Sequence, residues 1–124
     1  MIIGIGTDII EIERVAKAIE RNDRFLKRMF SDDEQAYFAL RKFYMPSIAA
    51  NFAGKEAVLK VFGTGIREMS WNEIEILRDE LGKPYVTLSG RALLKAQKMG
   101  IDEIQISLSH SKESALAFAI GIKK

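Results

Sequence analysis

The run from Pro46 to Gly63, PSIAANFAGKEAVLKVFG, reads as one long helix, because proline suits a first helical turn and glycine can take a left-handed cap at the other end. Within it, FAGKEAVLKVF sets one acid and two lysines in an otherwise apolar stretch, and whatever packs around the helix must accommodate them. At about 100° per residue, Glu56 and Lys60 share a face, whereas Val58 and Phe62 point elsewhere. Spacing alone describes a helix-surface ion pair in its favoured order, worth roughly 0.2–0.5 kcal/mol. Phe62-Gly63-Thr64-Gly65 follows directly, and the backbone amides of such a loop could approach a phosphate.

With 124 residues the chain fits a single domain, residues 1–124, with a modest core and little depth for a private cleft. A site completed by a partner subunit is one solution. Nineteen basic against seventeen acidic residues are nearly balanced, so any electrostatic preference must come from arrangement. The absence of cysteine excludes disulfides and thiolate chemistry. MIIGIGTDIIEI has no basic leader and reaches Asp8 and Glu11 early, so it reads neither as a signal peptide nor as a membrane span; a cytoplasmic protein is expected.

Residues 2–10 are Ile-rich and carry Gly4 and Gly6, which suggests a buried strand whose backbone something approaches closely. Residues 11–29 look helical with a break near Asn22-Asp23, and Ser31-Asp32-Asp33-Glu34 is a capping-box pattern opening a helix to about Leu40. Residues 73–77 and 85–88 pair as a hairpin about the Leu81-Gly82-Lys83-Pro84 turn. Ser89 is placed to cap a helix from Gly90 to Met99, and residues 104–110 and 113–122 make two further strands. The order is an α+β pattern.

Asp8 sets a carboxylate in an apolar strand signature, where it needs a cation, several donors or a metal. A hydrogen-bonded strand-end or capping aspartate is the alternative. With Glu56 it would give two hard oxygen ligands, a set that suits Mg²⁺, an ion that keeps several waters and shares phosphate oxygens. Lys60, one turn from Glu56, could then neutralise a phosphate leaving group. His110, the sole histidine, lies between the last two strands and decides nothing alone. Arg14, Lys17, Arg21, Arg24 and Arg28 recur at spacings of three and four, with Ala18, Phe25 and Met29 beside them. This stripe is either a solvated face or a docking surface for an acidic protein or nucleic acid.

Together these residues resemble the holo-acyl-carrier-protein synthases, the short class of 4′-phosphopantetheinyl transferases. The resemblance spans essentially the whole chain through GIGTDIIEI, FAGKEAVLKVFGTGI, LGKPY and SLSHSKESALAFAI. It implies a small α+β domain, a mostly antiparallel sheet packed with helices, assembled as a homotrimer with sites at subunit interfaces. It also implies Mg²⁺-dependent transfer of 4′-phosphopantetheine from coenzyme A to a serine of apo-acyl carrier protein, releasing adenosine 3′,5′-bisphosphate, in fatty acid biosynthesis. By that pattern Asp8 and Glu56 hold the metal, Glu56 helps activate the serine, and Lys60 stabilises the leaving phosphate. Lys55, Gly63, Gly65, the Gly82-Lys83-Pro84 turn and His110 fall around the nucleotide, and Arg14, Arg21, Arg24, Phe25 and Arg28 dock the acidic carrier.

One position departs. Many relatives carry arginine before FAxKEA, where this chain has Asn51; Lys42 or Arg41 could stand in for the missing cation. A non-catalytic adaptor using the basic stripe, with Asp8 and Glu56 merely structural, would not respond to Mg²⁺. A nucleic-acid module would show steep salt dependence, but few aromatics interleave the charges, so no nucleic acid and no membrane are expected as partners. A Rossmann-type site is disfavoured, since GIG lacks the third glycine. Phe30, Tyr37, Phe38 and Trp71 could be core or interface.

Overall fold

A computed structural model describes residues 1–124. The elements in chain order are β1 (Ile2–Glu11), α1 (Ile12–Arg21), α2 (Phe25–Met29), α3 (Asp32–Leu40), α4 (Met45–Phe62), β2 (Ile74–Arg78), β3 (Pro84–Leu88), α5 (Gly90–Met99), β4 (Glu103–His110) and β5 (Ser114–Ile122). Two short 3₁₀ turns, Ile66–Glu68 and Trp71–Glu73, carry the chain from α4 to β2; the sequence reading did not anticipate them. β1, β5 and β4 form an antiparallel sheet in that order, and β2 and β3 form a separate antiparallel hairpin.

α4 is the axis of the molecule. Twelve of its eighteen residues are buried, and it contributes to both apolar clusters, Ile48 to Ala50 to one and Ala53 to Phe62 to the other. Pro46 sits in its first turn, and Gly63 closes it at φ 74°, donating its N–H to the Leu59 and Lys60 carbonyls. The glycines of β1 let the helix lie directly on the sheet. A Cβ on Gly4 would stand 2.6 Å from the Val61 carbonyl oxygen, and one on Gly6 would collide with the Ala57 carbonyl oxygen.

Most of the expected elements form, with local corrections. The Ser31 capping box is present, Ser31 Oγ accepting from the Glu34 N–H and Glu34 Oε1 from the Ser31 N–H. Ser89, by contrast, makes no side-chain cap for α5. Glu73 reaches across from the preceding turn instead, its Oε2 accepting from the Arg91 N–H at 2.9 Å. Between α3 and α4 the chain turns through Lys42 and Phe43, two consecutive non-glycine residues at φ 56° and 54°. Phe30 and Phe38 are core, edge to face at 5.0 Å, whereas Trp71 stacks on Phe52 and Phe52 on Phe25.

Candidate active site

Close packing of α4 on β1 sets up the first cluster. Gly4 lies under Val61 and Gly6 under Ala57 and Lys60, so strand and helix run in opposite directions. Asp8 is the next inward position of the strand, and its carboxylate lies close enough to Glu56 to act on that carboxyl group. Lys60 Nζ stands 3.4 Å from Asp8 Oδ1 and donates to the Thr7 carbonyl at 2.9 Å. Burial first, and the neighbouring Asp8 carboxylate second, push Glu56 above the ordinary carboxylate range, with Lys60 pulling the other way. The Asp8 carboxylate adds to the cost of ionising Glu56, which a divalent cation relieves. Asp8 and Glu56 therefore fit Mg²⁺, which one or two protein carboxylates can hold when phosphate and water complete the shell; the chain gathers no group of three metal-ligating side chains. Gly63 and Gly65 are exposed just beyond, and between them Thr64 Oγ1 is buried without a hydrogen-bond partner.

Lys55 requires a correction. It is fully buried, and its Nζ donates to Glu34 Oε1 at 2.6 Å, the Trp71 carbonyl at 3.0 Å and the Ile74 carbonyl at 2.5 Å. All three ammonium donors are committed, so none is free for a nucleotide. Glu34 is equally buried; its Oε2 accepts from Asn51 Nδ2 at 3.0 Å and from the Ile76 N–H at 3.3 Å. Asn51 also faces inward, and its Oδ1 accepts from Arg78 Nη2 at 2.8 Å.

A second group of expected residues meets around a cleft of about 320 Å³. Gly82, Pro84 and His110 line it together with Tyr37, Arg41, Ser47 and Arg78. Lys83 lies beside it on the hairpin turn, where the N–H groups of Leu81 and Lys83 donate to Asp79 Oδ1 and Gly82 takes φ 86°. Lys42 is exposed at the corner next to Arg41 but is not part of the wall. Arg78 was absent from the expected residues, although the inward alternation Ile74, Ile76, Arg78 was a readable signal.

The basic stripe is divided. Arg14, Lys17 and Arg21 are exposed on α1, the chain breaks at 22–24, and Arg24 and Arg28 line a shallow recess with Lys27. Phe25 is half-buried on Phe52, at 6.2 Å between ring centroids, and so is partly committed to the fold.

Comparison with known proteins agrees with this arrangement. The model of the 4′-phosphopantetheinyl transferase superfamily matches residues 4–119. The chain is 52% identical over 122 residues to a holo-[acyl-carrier-protein] synthase of Alkaliphilus oremlandii, covering 98% of this chain and 100% of that one. Among solved structures, holo-ACP-synthase from Plasmodium yoelii superimposes with a TM-score of 0.88 at 38% identity, over 100% of this chain and 97% of that one. The Helicobacter pylori holo-[acyl-carrier-protein] synthase in complex with coenzyme A superimposes with a TM-score of 0.83 at 34% identity, over 95% and 99%. The chain thus belongs to the 4′-phosphopantetheinyl transferase superfamily and, within it, to the holo-acyl-carrier-protein synthases.

Proposed function

We propose that this chain transfers the 4′-phosphopantetheine group of coenzyme A to a serine of apo-acyl carrier protein, as a Mg²⁺-dependent, cytoplasmic enzyme serving fatty acid biosynthesis. The observation that carries the reading is the convergence of Asp8, Glu56 and Lys60, with Lys60 Nζ 3.4 Å from Asp8 and Glu56 held above its ordinary pKa. In the reaction the serine Oγ forms a bond to the phosphorus bearing the pantetheine arm. The bond from that phosphorus to the bridging oxygen breaks, and adenosine 3′,5′-bisphosphate leaves.

Asp8 and Glu56 would hold the metal, which when bound neutralises pyrophosphate charge as the bridging bond breaks. Glu56, ionised when the metal is held, accepts the serine proton directly or through a water. Lys60, whose side chain is 55% exposed, offers its ammonium to the leaving phosphate. Gly63 and Gly65 present backbone without side chains, so phosphate oxygens can come close. Gly82, Lys83, Pro84, His110 and Lys42 lie about the nucleotide.

The carrier protein docks on Arg14, Arg21, Arg24 and Arg28, with the exposed edge of Phe25 among them. Acidic carrier helices match that charge, and the contact weakens with salt. No helix is long and apolar enough to cross a membrane. A homotrimer is supported by the outer face of the three-stranded sheet, where Ile5 (59%), Ile9 (67%), Leu116 (44%) and Phe118 (43%) are exposed side by side. Such a face is what an obligate interface covers.

Intact-mass spectrometry of apo-acyl carrier protein incubated with this enzyme and coenzyme A tests the reading. A phosphopantetheine increment is expected with Mg²⁺ and absent with chelator, with a carrier lacking its serine, or with Glu56→Gln at unchanged melting temperature. Full transfer by the Glu56→Gln enzyme would remove the assignment.

A further inference from the structure

From Asn51 to the end of α4 every residue is buried but three, Phe52, Glu56 and Lys60, and these stand four apart on one face. Glu56 and Lys60 belong to the transfer chemistry; Phe52, one turn ahead of Glu56, has no part in it. Its ring lies between two others, 6.2 Å from that of Phe25 with the planes 22° apart and 5.8 Å from that of Trp71 with the planes 20° apart. Three nearly parallel rings thus run from α2, across the catalytic face of α4, to the 3₁₀ turn Trp71–Glu73.

α2 depends on that stack. A helix of five residues is too short to hold its own geometry, so its orientation comes from what it packs on. Phe25, its first residue, lies on Phe52, and the Lys27 carbonyl accepts from Nδ2 of Asn72, in the same turn as Trp71, at 3.5 Å. The turn itself is anchored independently of α2. The Trp71 carbonyl accepts from the buried Lys55 Nζ at 3.0 Å, and Lys55 directly precedes Glu56. The Ser70–Glu73 capping box holds its backbone, and the Ser89 N–H donates to the Glu73 carbonyl at 3.0 Å. Trp71 packs against both apolar clusters, whereas Phe25 and Phe52 pack against one. Trp71 is therefore the fixed end of the stack and α2 the dependent end.

We propose that Trp71 is a positioning residue for the transfer: through Phe52 it sets where α2 stands relative to Glu56, and so where the carrier's serine arrives. The inference rests on the transferase reading, in which α2 carries Phe25 and Arg28 of the carrier surface. A serine on a docked carrier reaches the donor phosphorus only within a narrow range of distance and angle, and a misplacement of about 1 Å can cost on the order of 100-fold in rate. The donor's pyrophosphate is taken by Asp8, Glu56 and Lys60, and its binding does not depend on where α2 stands. Loss of the stack thus falls on the acceptor side of the reaction and spares the donor side.

Steady-state transfer tests this, with the carrier and coenzyme A varied in turn for wild type, Trp71→Leu and Trp71→Phe. Trp71→Leu should lower kcat/KM for the carrier about 10- to 100-fold while KM for coenzyme A stays within about twofold of wild type. Trp71→Phe keeps a flat ring against Phe52 and should restore kcat/KM for the carrier to within about threefold. If Trp71→Leu melts below the assay temperature, Phe52→Leu breaks the same stack from α4 and should give the same split. A folded leucine variant with unchanged kcat/KM for the carrier would overturn the assignment. So would a KM for coenzyme A that rises in proportion, or a Trp71→Phe enzyme as impaired as the leucine one. A wild type that transfers phosphopantetheine beside an unimpaired leucine variant refutes this inference alone. A wild type that transfers none refutes the transferase reading with it.

Discussion

Two lysines of one motif, five residues apart on the same helix, do opposite jobs. Lys55 is sealed against Glu34, whereas Lys60 projects beside Asp8 with 55% of its side chain exposed. Lys55→Met should cost about 3–5 kcal/mol, because it strands Glu34 in the core, and urea denaturation should show it as a lowered midpoint. Lys60→Met should leave stability within about 0.5 kcal/mol and abolish transfer in the mass assay. The two would exchange phenotypes if Lys55 were the nucleotide contact that its place in the motif suggested. Spacing cannot make the distinction. A lysine beside an acid of such a motif looks the same in sequence whether a glutamate from another helix covers it or water does. Glu34 was legible as a capping-box residue, but its second role as the counter-ion of Lys55 depends on how α3 meets α4 and was not.

At the scale of elements, every helix and strand of more than one turn was legible, because each carries its own period and its own stop signals: Pro46 and Gly63 around α4, Gly82 in the hairpin turn, Gly100 after α5. What binds the elements together was less visible. The cap of α5 comes from Glu73, well upstream of Ser89, and only tertiary structure brings that carboxylate to the Arg91 N–H. Desolvation raises the Glu73 pKa, but hydrogen bonds from Ser70, Arg91 and Ala92, with the Arg91 charge, outweigh it and hold the group below the ordinary carboxylate range. Glu73→Ala should therefore cost about 1 kcal/mol, as loss of a helix cap does. The sign with pH follows from the depressed value. The contribution of Glu73 is complete above its unfolded pKa and disappears as pH falls through the folded one, so wild type and Glu73→Ala should differ at pH 7 and converge in acid. Denaturation at both extremes checks this, and a gap that widens in acid would contradict it.

The assembled molecule presents an inverted distribution of side-chain size on β5. Ala115, Ala117 and Ala119 point at α4, while Leu116 and Phe118 point away. The helix lies so near the sheet that only small residues fit beneath it, and the large ones are left for whatever covers the outer face. The sequence SALAFAIGI is apolar on both faces, so its pattern could not say which side was the core. Phe118→Asp should convert a trimer to single chains by light scattering and abolish transfer, without unfolding the sheet. A monomeric wild type would refute the trimer, and a trimeric, active variant would show that this face is not the interface. The same backbone-on-backbone contact between β1 and α4 has a consequence for motion. With Gly4 and Gly6 pressed against the Val61 and Ala57 carbonyls, strand and helix cannot part without exposing much of both apolar clusters. Their amide hydrogens should exchange with solvent only when the whole chain opens, whereas those of the five-residue α2 should exchange through small local openings. The residues proposed for chemistry would thus sit on the slowest-exchanging part of the molecule, and Phe25 and Arg28, proposed to receive a carrier protein, on the short α2.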